Sequence, residues 1–125
     1  MSLQNKTVLI CDDSILVRKQ LKDIISGCGI SHIIEASDGS QAVELYKEHK
    51  PDLAFLDIIM PIKDGSTATA EIVAFDPNAT VVIVSSIGTQ GLLKQTVEAG
   101  AKDFVQKPFT ASQIQKVISS RLEES

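Results

Sequence analysis

Five short apolar runs, each followed by polar residues, set the pattern of this 125-residue chain. They are Val8-Leu9-Ile10-Cys11, Ile33-Ile34 with Ala36, Leu53-Ala54-Phe55-Leu56, Thr80-Val81-Val82-Ile83-Val84 and Asp103-Phe104-Val105. Apolar runs of this length, bounded by turn residues, read as strands buried on both faces. Helical spacing fills the intervals. Val17, Leu21, Ile24, Ile25 and Cys28 recur after the first run, and Ala42, Val43 and Tyr46 after the second. A third helix is predicted from Ser66 to about Phe75, a fourth ending at Glu98-Ala99-Gly100, and a fifth carrying Ile114, Val117, Ile118 and Leu122. Gly27, Gly29, Pro51, Asp76-Pro77-Asn78 and Gly100 are the stops. A strand followed by a helix, five times with short connections, implies an α/β fold: a parallel sheet covered on both faces and joined by right-handed crossovers. The length suits one domain, expected to occupy residues 1–125.

Ligands in such sheets bind outside the carboxyl ends of the strands. That rule gathers Asp12-Asp13 after the first strand, Asp57 after the third, Ser85-Ser86 after the fourth and Lys107 after the fifth. The second strand ends in Ala36-Ser37 and adds little. Taken singly, each residue has a plainer reading: an acid capping a turn, a turn hydroxyl, a solvated lysine. Together at one rim they form a crevice. Three facing carboxylates repel, each raising the pKa of the others unless a cation holds them. Mg2+ suits that role, since it takes hard oxygen ligands and combines one or two carboxylates with phosphate oxygens. Lys107 adds a positive group and Ser85 a hydroxyl donor. A cation, an ammonium and a hydroxyl around a carboxylate are the parts that phosphoryl transfer requires.

Composition closes other routes. Twelve basic and sixteen acidic side chains leave a net charge of −4, with no basic run and no tryptophan. Binding of nucleic acid or an anionic membrane by this domain alone is therefore not expected. The longest apolar stretches fall far short of the ~20 residues of a membrane span. Cys11 and Cys28 resemble neither a metal knuckle nor a disulfide framework, so both read as reduced, with a cytoplasmic location. No secretion signal is recognisable ahead of the first strand. A flavin phosphate is disfavoured, because Asp12 and Asp13 would repel it where that ligand needs amides and hydroxyls. His32 and His49 read as structural or solvated, Tyr46 as core and Asp103 as a surface acid. Asp38, Asp64 and Asp76 read as turn residues beside Gly or Pro.

These motifs resemble a known family. Asp12-Asp13 after an apolar strand, Asp57-Ile58-Ile59-Met60-Pro61 with Asp64-Gly65, Val84-Ser85-Ser86 and Lys107-Pro108-Phe109 together resemble the receiver domain of bacterial response regulators. The resemblance runs from about Lys6 to Leu122. Within the family the chain is most similar to the single-domain chemotaxis regulators of the CheY type, on the stretch Gly100-Ala101-Lys102-Asp103-Phe104 and the lack of an output domain. The resemblance implies a doubly wound, flavodoxin-like (βα)5 fold with strand order 2-1-3-4-5, of which this family is a standard example. It implies Asp57 as phosphoacceptor from a histidine kinase. It implies Mg2+ bound directly by Asp13 and Asp57, largely through water by Asp12, and by the main-chain carbonyl of Ile59. Lys107 would contact the phosphoryl group, with a cis bond to Pro108. Ser85 would be the hydroxyl that moves toward the phosphoryl group, the Ser86 amide would lie nearby, and Phe104 would be the aromatic that swings inward. The implied partners are the kinase, a phosphatase and an output target, for which the chemotaxis subclass implies the flagellar motor switch; a monomer is expected.

Two readings compete. The chain could be a receiver cut from a longer regulator with a DNA-binding or enzymatic output domain. It could instead be a magnesium-dependent phosphatase with Asp57 as nucleophile, but that class needs a general acid two residues on, where Ile59 stands. Ile59, two residues past Asp57, and Ile87, two past Ser85, are also departures from the chemotaxis members, which often carry polar side chains there. Isoleucine cannot orient a hydrolytic water, so self-dephosphorylation is expected to be slow and to depend on a phosphatase. Ser85 in place of the commoner threonine keeps the hydroxyl. Ile59→Asn is expected to speed loss of the phosphoryl group, read as the decay rate of the phosphorylated chain; an unchanged rate would count against this role.

Overall fold

The computed structural model describes residues 3–86 and 90–122. Strands and helices alternate without exception among them: β1 (Thr7–Cys11), α1 (Ile15–Gly27), β2 (His32–Ala36), α2 (Gly39–His49), β3 (Leu53–Leu56), α3 (Gly65–Phe75), β4 (Val81–Ser85), α4 (Gln90–Glu98), β5 (Asp103–Gln106) and α5 (Ala111–Leu122). All four ladders are parallel, in the order β2-β1-β3-β4-β5. That is the order the resemblance implies.

Alternation along each strand divides the core in two. Val8, Ile10, Phe55, Val82 and Val84 pack with Leu21 and Ile25 of α1 and with Ile114, Val117 and Ile118 of α5. Leu9, Cys11, Ala54, Leu56 and Ile83 pack on the other face with Ala42, Val43 and Tyr46 of α2 and Ala68 and Ile72 of α3. Successive strand residues point to opposite faces, so an uninterrupted apolar run is what a sheet covered twice demands. The polar residues then fall at the strand ends, where the chain leaves the sheet.

Local chemistry starts each helix. Ser14, Asp38 and Asp64 accept hydrogen bonds from the amides of Val17, Gln41 and Thr67 at 3.3, 2.9 and 2.8 Å, capping α1, α2 and α3. Thr110 and Gln113 form a reciprocal capping box at the start of α5. Because Ser14 caps α1, Asp12 and Asp13 are released from capping. Strand β4 runs one residue beyond its predicted end, through Ser85, and β5 runs through Gln106. The cause is continued pairing: Ser85 stands opposite Gln106, and the Lys107 amide donates to the Ser85 carbonyl. His32 and His49 lie at the start of β2 and the end of α2, both exposed and away from the carboxyl rim.

Tyr46 is buried, as predicted, but its hydroxyl also donates to Asp76 Oδ2 at 2.8 Å. Its ring meets Phe75 edge-on at 6.4 Å. Helices α2 and α3 are thus fastened at the end remote from the rim. Burial, then the bond to Asp76, holds the phenol proton tightly and raises its pKa. Tyr46→Phe is expected to cost about 1 kcal/mol, because water can reach half-buried Asp76 and replace the lost bond. Tyr46→Ala is expected to cost about 3–5 kcal/mol through the cavity it leaves. Urea unfolding of the two variants checks both values.

Candidate phosphorylation site

Three strand ends deliver four charged groups to one place. Strand β3 stops at Leu56, and Asp57 follows with its amide bonded to the Cys11 carbonyl at 3.0 Å and only 9% of its surface exposed. Its Oδ1 accepts from the Ile58 amide at 2.8 Å. Strand β1 ends at Cys11. Asp12, 1% exposed, is held by its amide to the Ala36 carbonyl and by Oδ1 to the Ser14 amide. Lys107, just past β5, reaches across to both acids, 2.7 Å from Asp12 Oδ2 and 3.3 Å from Asp57 Oδ2. Asp13 is exposed, and carboxylate oxygens of Asp12, Asp13 and Asp57 lie within 4.8 Å of one another.

The remaining residues singled out by sequence fall around this centre. Ser85 is buried at the last position of β4, beside Lys107 through the main chain. Ser86 is exposed and, with Lys107, Pro108, Phe109, Val17 and Ile24, lines a cavity of about 670 Å³ between α1 and the β5–α5 connection. The Lys107–Pro108 bond is cis. Phe104 lies on β5 and is 47% exposed, outside the acid cluster. The Ile59 side chain is 61% exposed. Ile87 lies outside the described residues.

Charge and burial set the chemistry. Burial, then the neighbouring Asp12 charge, raises the Asp57 pKa; Lys107 and the Ile58 amide oppose this without cancelling it. Burial disfavours the Lys107 ammonium, but its bond to Asp12, the Asp57 charge and the Asp12 charge outweigh that and leave its pKa raised. The lysine therefore stays charged between the two acids. Beneath them the Cys11 thiol is pushed up to about 12, first by burial and then by Asp38, Asp12 and Asp57, so it is a neutral packing group. It touches the Asp38 carbonyl at 3.2 Å and Met60 Sδ at 3.3 Å.

Sequence reasoning missed two residues that shape the pocket floor. A side chain at Gly65 would overlap the Asp57 carbonyl oxygen and crowd the Ile58 Cα, and one at Gly39 would overlap the Lys63 carbonyl. The Gly65 amide bonds to the Ile58 carbonyl at 2.7 Å and the Gly39 amide to the Lys63 carbonyl at 3.1 Å. The loop after Asp57 is thus pinned at both ends by backbone approaches that only glycine permits. Between them Ile62 adopts φ 71°, in a γ-turn closed by the Lys63 amide on the Pro61 carbonyl. The Asp-Gly dipeptides at 38–39 and 64–65 signal turns in the sequence, but not which backbone each glycine meets.

A parallel sheet in the order β2-β1-β3-β4-β5, with helices on both faces and an acid triad and bridging lysine at its carboxyl rim, defines a flavodoxin-like α/β domain. The chain belongs to the response regulator receiver domain family, whose model matches residues 8–119. It is 44% identical to the chemotaxis protein CheY of Bacillus subtilis over 92% of this chain and 96% of that protein. Its identity to CheY of Thermotoga maritima is also 44%, over 91% and 95% of the two chains. Among solved structures, the CheX-CheY-BeF3-Mg2+ complex from Borrelia burgdorferi superposes with a TM-score of 0.88 at 38% identity, covering 95% of this chain and 90% of that one. The protein is accordingly a receiver domain of two-component signalling, a switch rather than a turnover enzyme, and the two relatives just described are chemotaxis proteins. No described helix is long and apolar enough to cross a membrane.

The raised pKa of Asp57 has a consequence for stability. The folded state binds its proton more tightly than the unfolded chain does, so stability falls as pH rises from the unfolded carboxylate value through the folded one. Above the folded value the full cost is present. Asp57→Asn removes the buried charge and is expected to raise the urea midpoint at neutral pH, with the gain shrinking as the solution is acidified. A variant less stable than wild type at neutral pH would show that Lys107 more than balances the burial of Asp57.

Proposed function

We propose that this chain is a phosphorylation-activated switch of the chemotaxis type, a single receiver domain over residues 1–125 acting in the cytoplasm. Asp57 takes the phosphoryl group from a histidine kinase: a carboxylate oxygen forms the new bond to phosphorus as the bond to the donor nitrogen breaks. The observation that carries this reading is the junction of Asp12, Asp13 and Asp57 within 4.8 Å, spanned by Lys107. Three oxygen donors so close fit a small divalent cation. Asp13 and Asp57 would hold Mg2+ directly, Asp12 largely through water, and the Ile59 carbonyl would complete the protein ligands. The cation supplies charge neutralisation for the phosphoryl oxygens. The CheX-CheY-BeF3-Mg2+ complex of Borrelia burgdorferi supports the same assignment by similarity.

Lys107 has a second role here. When phosphorus is bonded to Asp57, an ammonium already 3.3 Å from that carboxylate is within reach of a phosphoryl oxygen. Ser85 would move its hydroxyl to another oxygen, and the Ser86 amide would serve a third. Withdrawal of Ser85 leaves room for Phe104 to turn inward from its exposed position, altering the surface of α4, β5 and α5 that an output target reads. Taking such a switch from ~1% to ~99% active requires about 5.5 kcal/mol of differential stabilisation. A few charge-assisted hydrogen bonds are of that order.

The partners proposed are a histidine kinase, a phosphatase and, as output protein, the flagellar switch. A single-domain arrangement is supported by near-complete overlap with the CheY relatives, although the same fold covers 27% of NtrX from Brucella abortus. Incubation with Mg2+ and a small acyl phosphate is expected to add one phosphoryl unit to wild type and none to Asp57→Asn, read by intact mass. Equal labelling of both proteins, or labelling that is independent of magnesium, would overturn the assignment.

A further inference from the structure

Arg18 is one of several charged residues on α1, and its spacing in the sequence does not set it apart. In the fold its guanidinium leans back toward the start of α1, as long helical side chains do. Nη1 donates to the Asp12 carbonyl at 2.7 Å, and Nε donates to Glu35 Oε1 at 3.2 Å. Only 15% of the side chain is exposed. An exposed arginine–glutamate pair contributes little. A largely covered guanidinium giving a charge-assisted bond to one main-chain carbonyl is a different device.

The position of that carbonyl decides what the device does. The Asp12 amide is tied to Ala36 and its side chain to the Ser14 amide and Lys107. Among the described residues, no hydrogen bond or ion pair holds the Asp13 carboxylate. The Asp12 carbonyl and the Asp13 nitrogen and Cα lie in one rigid peptide plane. Fixing the oxygen at one edge of that plane fixes where the Asp13 Cα leaves it, and so narrows the directions open to the Asp13 side chain. We propose that Arg18 is a positioning residue for the divalent-cation pocket, holding the Asp12–Asp13 peptide plane so that the Asp13 carboxylate stays turned toward Asp57. The inference rests on the reading of the acid triad as a Mg2+ site. It assigns Glu35, on the edge strand β2, the lesser role of steadying the guanidinium, with Lys22 its other partner at 3.5 Å.

Calorimetric titration with Mg2+ separates this from a merely structural tie between α1 and the sheet. Arg18→Met keeps the apolar stem and loses both bonds. It is expected to bind Mg2+ about tenfold more weakly than wild type, as loss of an orienting partner does at other metal sites. Its rate of labelling by acyl phosphate is expected to recover to the wild-type value at saturating Mg2+, since no reacting group is altered. Lys22→Met loses only the second partner of Glu35 and is expected to bind as wild type does. Wild-type Mg2+ affinity in Arg18→Met, or a labelling rate that stays low at saturation, overturns the proposal. If Arg18→Met does not fold, Arg18→Lys replaces it: an ammonium cannot serve the carbonyl and Glu35 in the fork geometry, so weaker binding is expected. Wild-type affinity in that variant is equally fatal. If wild type itself binds no Mg2+, the pocket reading fails first and separately.

Discussion

One ammonium group sits between two carboxylates that burial would otherwise drive apart or neutralise. Lys107 lies 95 residues from Asp12 and 50 from Asp57, yet approaches them to 2.7 and 3.3 Å. A buried acid pair without a cation is strongly unfavourable, and removing one partner from such a cluster leaves an uncompensated charge. The bridge therefore does more than join residues. It lets the ends of β1, β3 and β5 remain polar at the rim of a sheet whose central strands β1, β3 and β4 are buried on both faces. The compensation is incomplete, since the Asp57 pKa stays above its ordinary value. A site tuned for stability alone would carry fewer acids.

The parts differ in how firmly they are held. The loop after Asp57 is clamped by Gly39 and Gly65, whose amides bind main-chain carbonyls at the far and near ends of the turn. Asp12 uses its amide, its carbonyl and both carboxylate oxygens. Asp13 is exposed, and the ring of Phe104 stands out from β5. Rigid groups surround the place where a phosphoryl group would be attached, while Phe104, to which the proposed switch assigns movement, is exposed. Such a division suits a domain that must hold a reactive geometry and still change a distant surface.

Much of the architecture was legible before any coordinates. Apolar runs that ignore alternation mean strands covered on both faces, and helical spacing between them forces parallel pairing by crossover. Asp12, Asp13, Asp57, Ser85 and Lys107 were all found because the strand-end rule is geometric and needs only element order. Element ends were less legible. Ser85 and Gln106 joined their strands because they pair with each other, a contact that local propensity does not contain. The cap of α1 falls to Ser14 because the helix begins at Ile15, one residue beyond it.

The amino-acid order alone determined the α/β class, the side of the sheet that carries chemistry and the identity of the charged groups there, because hydrophobic period and strand polarity are local properties. Tertiary structure alone decided that Lys107 would lie closer to Asp12 than to Asp57, that Tyr46 would bond to Asp76, that Gly39 and Gly65 would press against the pocket loop and that Arg18 would grip the Asp12 carbonyl. Those facts join groups from 6 to 95 residues apart in the chain at separations of a few ångströms. Only the packed arrangement of the strands and helices sets such distances.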